Sequence, residues 1–154
     1  MARQESGGVF ATAMKLLLDT NIFLEAVFNQ PQAMNARLLL NNAGHELFVS
    51  DFSLHSVGVQ LIRRRSTNHW RRFLNDLILP SRVTVLVLPS IELLRVADVI
   101  QQYKLDFDDA YQYVIAEHHQ LTLVSFDSDF DRTQRGRQTP QAINQLTLPD
   151  TPTS

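Results

Sequence analysis

At 154 residues the chain has the length of one domain, and with 44% hydrophobic residues it can bury a core. The absence of cysteine excludes a disulfide framework, a zinc–thiolate site and a cysteine nucleophile, and it fits a reducing, cytoplasmic setting. A net charge of −2 gives no global basic field to announce nucleic acid, although twelve of the fourteen cations are arginine, whose planar fork matches phosphate oxygens.

The opening MARQESGGVFATA carries one arginine and no apolar core, so it is not a signal peptide. Residues 1–13 read as a disordered extension, followed by one domain over 14–148 and a frayed tail over 149–154. KLLLD (15–19) is a strand buried on both faces, and 21–29 is a short helix. Pro31 opens a second helix to about Asn41, and HELFVS (45–50) is the second strand. Ser50 is an N-cap for a helix in which Leu54, Val57, Leu61 and Ile62 recur at helical spacing. Residues 68–79 form an amphipathic helix with Trp70, Phe73, Leu74, Leu77 and Ile78 on one face, which serves as core or as an interface. RVTVLVL (82–88) is the third strand. Ser90 caps a helix to about Tyr103 with Leu93, Leu94, Ala97 and Ile100 inward, and Asp106 caps the next with Phe107, Ala110, Tyr111, Val114 and Ile115 inward. LTLVSF (121–126) is the fourth strand, and AINQLTL (142–148) reads as an edge strand. No apolar run approaches the roughly 18 residues of a membrane span.

Strands alternating with helices imply an α/β fold: a three-layer α/β/α sandwich around a central, mainly parallel sheet. In such sheets ligands bind beyond the carboxyl ends of the strands, at a topological switch point. Asp19 ends the first strand, Asp127 follows the fourth with Asp129 two residues on, and Asp109 lies in the first turn of the helix feeding the fourth strand. If strands one and four are neighbours, three or four carboxylates meet at that edge. Like charges so close would force a proton onto one of them. A bound Mg²⁺ or Mn²⁺ removes the conflict, because hard divalent ions prefer carboxylate oxygens. Plainer roles stay open: Asp106 and Asp109 suit a helix start, and Asp127-Ser128-Asp129 suits an Asx turn. Asp108, Glu117 and Asp131 read as solvated charges, and His118 and His119 as surface residues at a helix end.

LLLDTN (16–21), DDAYQYVIAE (108–117) and LVSFDSDF (123–130) together resemble the PIN-domain family of metal-dependent ribonucleases, in order and spacing, across about 14–148. The resemblance implies an endoribonuclease that hydrolyses single-stranded RNA at a Mg²⁺ or Mn²⁺ site. It assigns Asp19, Asp109 and Asp127 as catalytic, with Asp129 joining them as metal ligands. Thr20, Asn21 and Ser125 are implied as supports of the first carboxylate. The family includes the toxin halves of bacterial toxin–antitoxin pairs (VapC-like), so a small antitoxin protein is an implied partner and a homodimer the expected assembly.

One position departs from the family pattern. Where a Glu is expected early in the helix after the second strand, SDFSLHSVGVQLI places His55, with Asp51 one turn earlier on the same face. Three readings stay open: His55 as ligand or proton carrier, Asp51 as the replacement carboxylate, or a catalytically weakened module that binds RNA or protein. Arg63, Arg64, Arg65, Arg71 and Arg72 are the candidates for RNA-backbone contact. A haloacid-dehalogenase-type phosphatase fits less well. It needs an aspartate at position 21, where Asn21 stands, and a downstream lysine, while the chain has only Lys15 and Lys104.

Overall fold

The computed structural model describes residues 13–147; the extension expected over 1–13, apart from Ala13, and the tail expected over 149–154 lie outside the described residues. In chain order the elements are β1 (Lys15–Leu18), α1 (Thr20–Val27), α2 (Ala33–Leu40), β2 (Glu46–Ser50) and α3 (Asp51–Arg63). Then come α4 (Thr67–Phe73), β3 (Val83–Leu86), α5 (Leu93–Tyr103), α6 (Phe107–His119), β4 (Thr122–Val124) and α7 (Pro140–Thr147). All three strand pairings are parallel, in the order β3-β2-β1-β4. The chain builds outward from β1 to β2 and β3, then returns to β1's other side as β4, so the switch point lies between β1 and β4.

The period of 2 in a strand splits β1 between two cores. Leu16 and Leu18 face Ile22, Phe23, Leu39, Val57, Leu61, Phe73 and Ile143, whereas Leu17 faces Val96, Val99, Val114, Leu123 and Phe130. Helices α1–α4 and α7 therefore cover one face of the sheet, and α5 and α6 the other. The fold is the expected three-layer α/β/α sandwich.

Several local expectations hold. The Ser50 hydroxyl accepts from the Ser53 N–H at 2.9 Å and caps α3. The face of 70–78 packs into the core: Phe73 meets Phe23 edge-on at 5.2 Å between centroids, and Trp70 stacks on Phe73 at 5.8 Å. Gly58 makes room for that tryptophan, since a Cβ there would sit 3.2 Å from its ring. After Phe73 the helix continues as a π turn over Leu74–Ile78.

Four expectations do not hold. The segment expected as an edge strand over 142–148 is helical to Thr147. Pro140 occupies the first turn, where its missing N–H costs nothing, and the Thr139 hydroxyl accepts the Ala142 N–H at 3.1 Å. In α5 the buried residues are Val96 and Val99, while Leu94 is 69% exposed and Leu93 and Ala97 also face solvent. A bidentate Arg95–Glu117 pair, 3.0 Å at each contact, ties α5 to α6 in that rotation. Ser90 begins a separate 3-10 turn and makes no side-chain cap, and Phe107 is half-exposed.

Ile143 is fully buried and Leu146 exposed, a contrast that tests the α7 assignment. Ile143→Ala should lower unfolding stability by about 2–5 kcal/mol in urea denaturation, and Leu146→Ala by less than about 0.5. Equal effects would contradict α7 as part of the core.

Candidate metal centre

Asp19 still belongs to the sheet through its backbone, with its N–H on the Val124 carbonyl at 3.0 Å. Its side chain then caps α1, accepting the Thr20 N–H at 2.8 Å. Only 8% of the residue is exposed. Ser125, just past β4, donates its hydroxyl to Asp19 Oδ2 at 2.6 Å, and Asn21 Nδ2 reaches the same oxygen at 3.4 Å and Ser125 Oγ at 3.2 Å. On the other oxygen, Gln112 Nε2 donates to Oδ1 at 3.3 Å. Asp19 thus has four neutral donors and, among the described residues, no ion-pair partner.

The other carboxylates arrive from both sides of β4. Asp109, 8% exposed, sits in the first turn of α6. The Asp127 N–H donates to Ser125 Oγ at 2.9 Å, and Asp127 Oδ1 accepts the Asp129 N–H at 2.8 Å, so the Asx turn exists and orients Asp127 inward. Asp109, Asp127 and Asp129 present oxygens all within 4.8 Å of one another. A cavity of about 270 Å³ opens onto Asp19, Asp108, Asp109 and Asp127, flanked by Ser53, Ser56, Gln60 and Gln112.

Burial pushes the Asp109 carboxyl up to about 8, aided by the charges of Asp108, Asp127 and Asp19 and a hydrogen bond to Asp127. Burial also raises Asp19, against the lowering effect of its bonds to Ser125, Gln112 and Thr20, and the Asp127 charge adds to the rise. A carboxyl that keeps its proton near neutrality marks a place where negative charge exceeds what the protein compensates. An all-oxygen donor set of this kind, reachable from solvent, fits a hard divalent cation.

Two candidates for the fourth corner do not face this cavity. His55 is exposed and lines shallow surface depressions with Val59 and Trp70. Asp51 accepts the Tyr111 hydroxyl at 2.8 Å, and that oxygen in turn accepts the Leu88 N–H at 3.3 Å, which makes a structural tie on the far side of α6. Ser53, Ser56 and Gln60, at i, i+3 and i+7, form the α3 face on the cavity. His55 lies one residue, about 100°, off that face. The polar spacing of Ser53, Ser56 and Gln60 among Leu54, Val57 and Leu61 was the available signal.

Thr20 lies beside the site, its hydroxyl donating to Ser53 Oγ at 2.9 Å. Asp129 shares its carboxylate with Arg132 at 3.4 Å. Of the charges expected to be solvated, Glu117 pairs with Arg95 and Asp131 with Arg137, while Asp108 lines the cavity. His118 and His119 are exposed at the end of α6, as expected. The five candidate arginines are all exposed, and none lines the acidic cavity. Arg64 lies over the Phe28 ring at 4.0 Å, and Arg72 joins Arg37 and Arg82 around a separate cavity of about 320 Å³ at the far end of α1.

A family model described as PIN domain matches residues 16–136. The fold is similar to a toxin–antitoxin complex from Klebsiella pneumoniae, with a TM-score of 0.63 and 23% identity over 81% of this chain and 97% of that one. It is also similar to VapBC2 from Rickettsia felis bound to a DNA fragment from their promoter, at 0.61 and 19% over 82% and 98%. A third similarity is to FitAcB from Neisseria gonorrhoeae, at 0.58 and 18% over 82% and 98%. Identities this low carry the fold. No curated protein matches the chain.

The raised Asp109 carboxyl has a consequence for stability without metal. Its folded value of about 8 exceeds the ordinary 3.8, so the folded chain holds a proton that the unfolded chain releases, and stability falls as pH rises between those limits. In EDTA, the urea midpoint of the wild type should drop more between pH 5 and 8 than that of Asp109→Asn. An equal or steeper drop in the variant contradicts the assignment.

Proposed function

The chain belongs to the PIN-domain family, a family of nucleases, and on that premise we propose that it is a metal-dependent endoribonuclease acting on single-stranded RNA. The observation that carries this reading is the meeting of Asp19, Asp109 and Asp127, from three separate parts of the chain, in one cavity that no cation among the described residues lines. Asp109, Asp127 and Asp129 would hold a Mg²⁺ or Mn²⁺ ion, and Asp19 would complete the acidic set. When bound, such an ion offsets charge on the scissile phosphodiester and acidifies water. The chain's own groups do the rest. Ser125, Asn21 and the Thr20 N–H orient Asp19. Asp109 gives up its proton when positive charge enters. Hydrolysis adds OH to phosphorus and a proton to the leaving ribose oxygen.

The α3 wall of the cavity carries Ser53, Ser56 and Gln60 and no acid, with His55 facing away from it, and this favours a second reading, a weakened module that binds RNA or protein without cutting. One assay separates the two. Given labelled single-stranded RNA, the wild type should cleave in Mn²⁺ and stop in EDTA, and Asp19→Asn should fall to the EDTA level. Cleavage surviving in Asp19→Asn would sink the assignment, and RNA binding without cleavage in any divalent metal would favour the second reading.

A role as the toxin of a type II pair rests on the family and on a structural neighbour described as a toxin–antitoxin complex. The matching partner is a small antitoxin protein whose Arg or Lys enters the acidic cavity. A homodimer is the proposed assembly, with Val59 and Ile62 of α3 as exposed apolar surface for it. No described helix is long and apolar enough to cross a membrane, and a cytoplasmic location is part of the proposal. RNA-backbone contact is assigned to Arg63, Arg64, Arg65, Arg71 and Arg72. Arg64→Ala with Arg65→Ala should weaken binding alike for all sequences and flatten the log–log salt slope by up to about 1.4, or roughly 0.7 per lost phosphate contact. A loss confined to one sequence would refute the backbone role.

A further inference from the structure

Gln112 breaks the pattern of its own helix. Residues 109–116 of α6 are all buried, and past Asp109 they are apolar or aromatic except at this position. Gln112 is 1% exposed, in a place where leucine or methionine would fill the same space. Its Nε2 donates to Asp19 Oδ1 at 3.3 Å and to Ser53 Oγ, while its Oε1 is buried with no hydrogen-bond partner among the described residues. A stranded buried carbonyl oxygen weakens a fold, and such rule-breaking concentrates where function requires it.

The geometry points to Gln112 as a positioning residue of the acidic site, whose amide holds the Asp19 carboxylate in register with α3 and with Asp109. Ser125 holds one Asp19 oxygen from the β4 side. On the other oxygen, the Thr20 N–H is the adjacent residue's own backbone, so Gln112 supplies the hold from across the sheet edge. The same helix carries Asp109 one turn earlier, so a single rigid element fixes both carboxylates. Through Ser53, which also accepts from Thr20, the amide joins α6 to α1 and α3. This assignment rests on the metal-dependent reading proposed above, and no substrate contact is asked of Gln112.

Gln112→Leu and the more flexible Gln112→Met separate positioning from a purely structural cross-link. The readouts are Mn²⁺ affinity by electron paramagnetic resonance and the thermal midpoint in EDTA. Positioning predicts Mn²⁺ affinity lowered about ten-fold or more, the size typical of groups that orient metal ligands. It also predicts a metal-free midpoint that is unchanged or higher, because the stranded oxygen is gone. Ser53→Ala should lower the affinity less than either Gln112 variant, since the Gln112–Asp19 bond remains. A lowered midpoint with unchanged Mn²⁺ affinity overturns the inference in favour of a cross-link, as does failure of both Gln112 variants to fold. Wild-type chain that binds no Mn²⁺ overturns the proposed metal chemistry and this inference together. Wild-type binding that neither Gln112 substitution alters overturns this inference alone.

Discussion

An aspartate buried at the end of an apolar strand, with no cation beside it among the described residues, is the constraint around which this molecule is arranged. Asp19 follows three fully buried leucines, and its backbone is still bonded to β4 when its side chain turns to cap α1. Burial of an ionised carboxylate is tolerable only with hydrogen bonds or positive charge. Here four neutral donors come from three places: the Thr20 N–H and Asn21 at the start of α1, the residue after β4, and mid-α6. Strand order makes this possible. Only because β4 returns beside β1 do Ser125 and Asp127 arrive where Asp19 ends.

The same arrangement accumulates more negative charge than it compensates. The neutral donors favour ionised Asp19, yet burial outweighs them, and Asp109 and Asp127 are left sharing a hydrogen bond. A stable core alone would not be built this way, since apolar residues at these positions would avoid the desolvation. The fold carries a local excess of negative charge that a cation of the right hardness would relieve, and the binding of such a cation would add to the folding free energy.

How much of this was legible in the sequence depends on what fixes each feature. β1 and Asp19 could be read because an apolar run ending in a carboxylate depends on local sequence and on the rule for parallel sheets. The caps at Ser50 and before Pro140 are equally local, though the weak apolar spacing of Ile143 and Leu146 obscured the second. The inward face of α5 was not legible. Leu93, Leu94 and Ala97 make as good a helical stripe with Ile100 as Val96, Val99 and Tyr103 do, and of the expected four only Ile100 packs inward. The structure buries Val96 and Val99 against α6, and the half-exposed Arg95–Glu117 pair, a contact across 22 residues, accompanies that rotation. Gln112 was invisible for a related reason: its partners lie 93 and 59 residues away.

His55 shows how little error a helix tolerates. A one-residue displacement turns a side chain through about 100°, enough to separate His55 in a surface depression from Ser56 on the cavity wall. With Ser56 and Gln60 there, α3 brings no charge. The cavity nevertheless meets four carboxylates, because α6 contributes two in succession, Asp108 and Asp109. The two are not equivalent. Asp108 is exposed and its field is screened by solvent and salt, while Asp109 is buried. Even so, the Asp108 charge ranks next after burial in holding Asp109 near 8. A carboxylate on α3 would have faced these acids across the cavity. Placing the extra charge at the α6 N-terminus sets it beside the positive end of a helix dipole instead, where an acid is favoured before any ion binds.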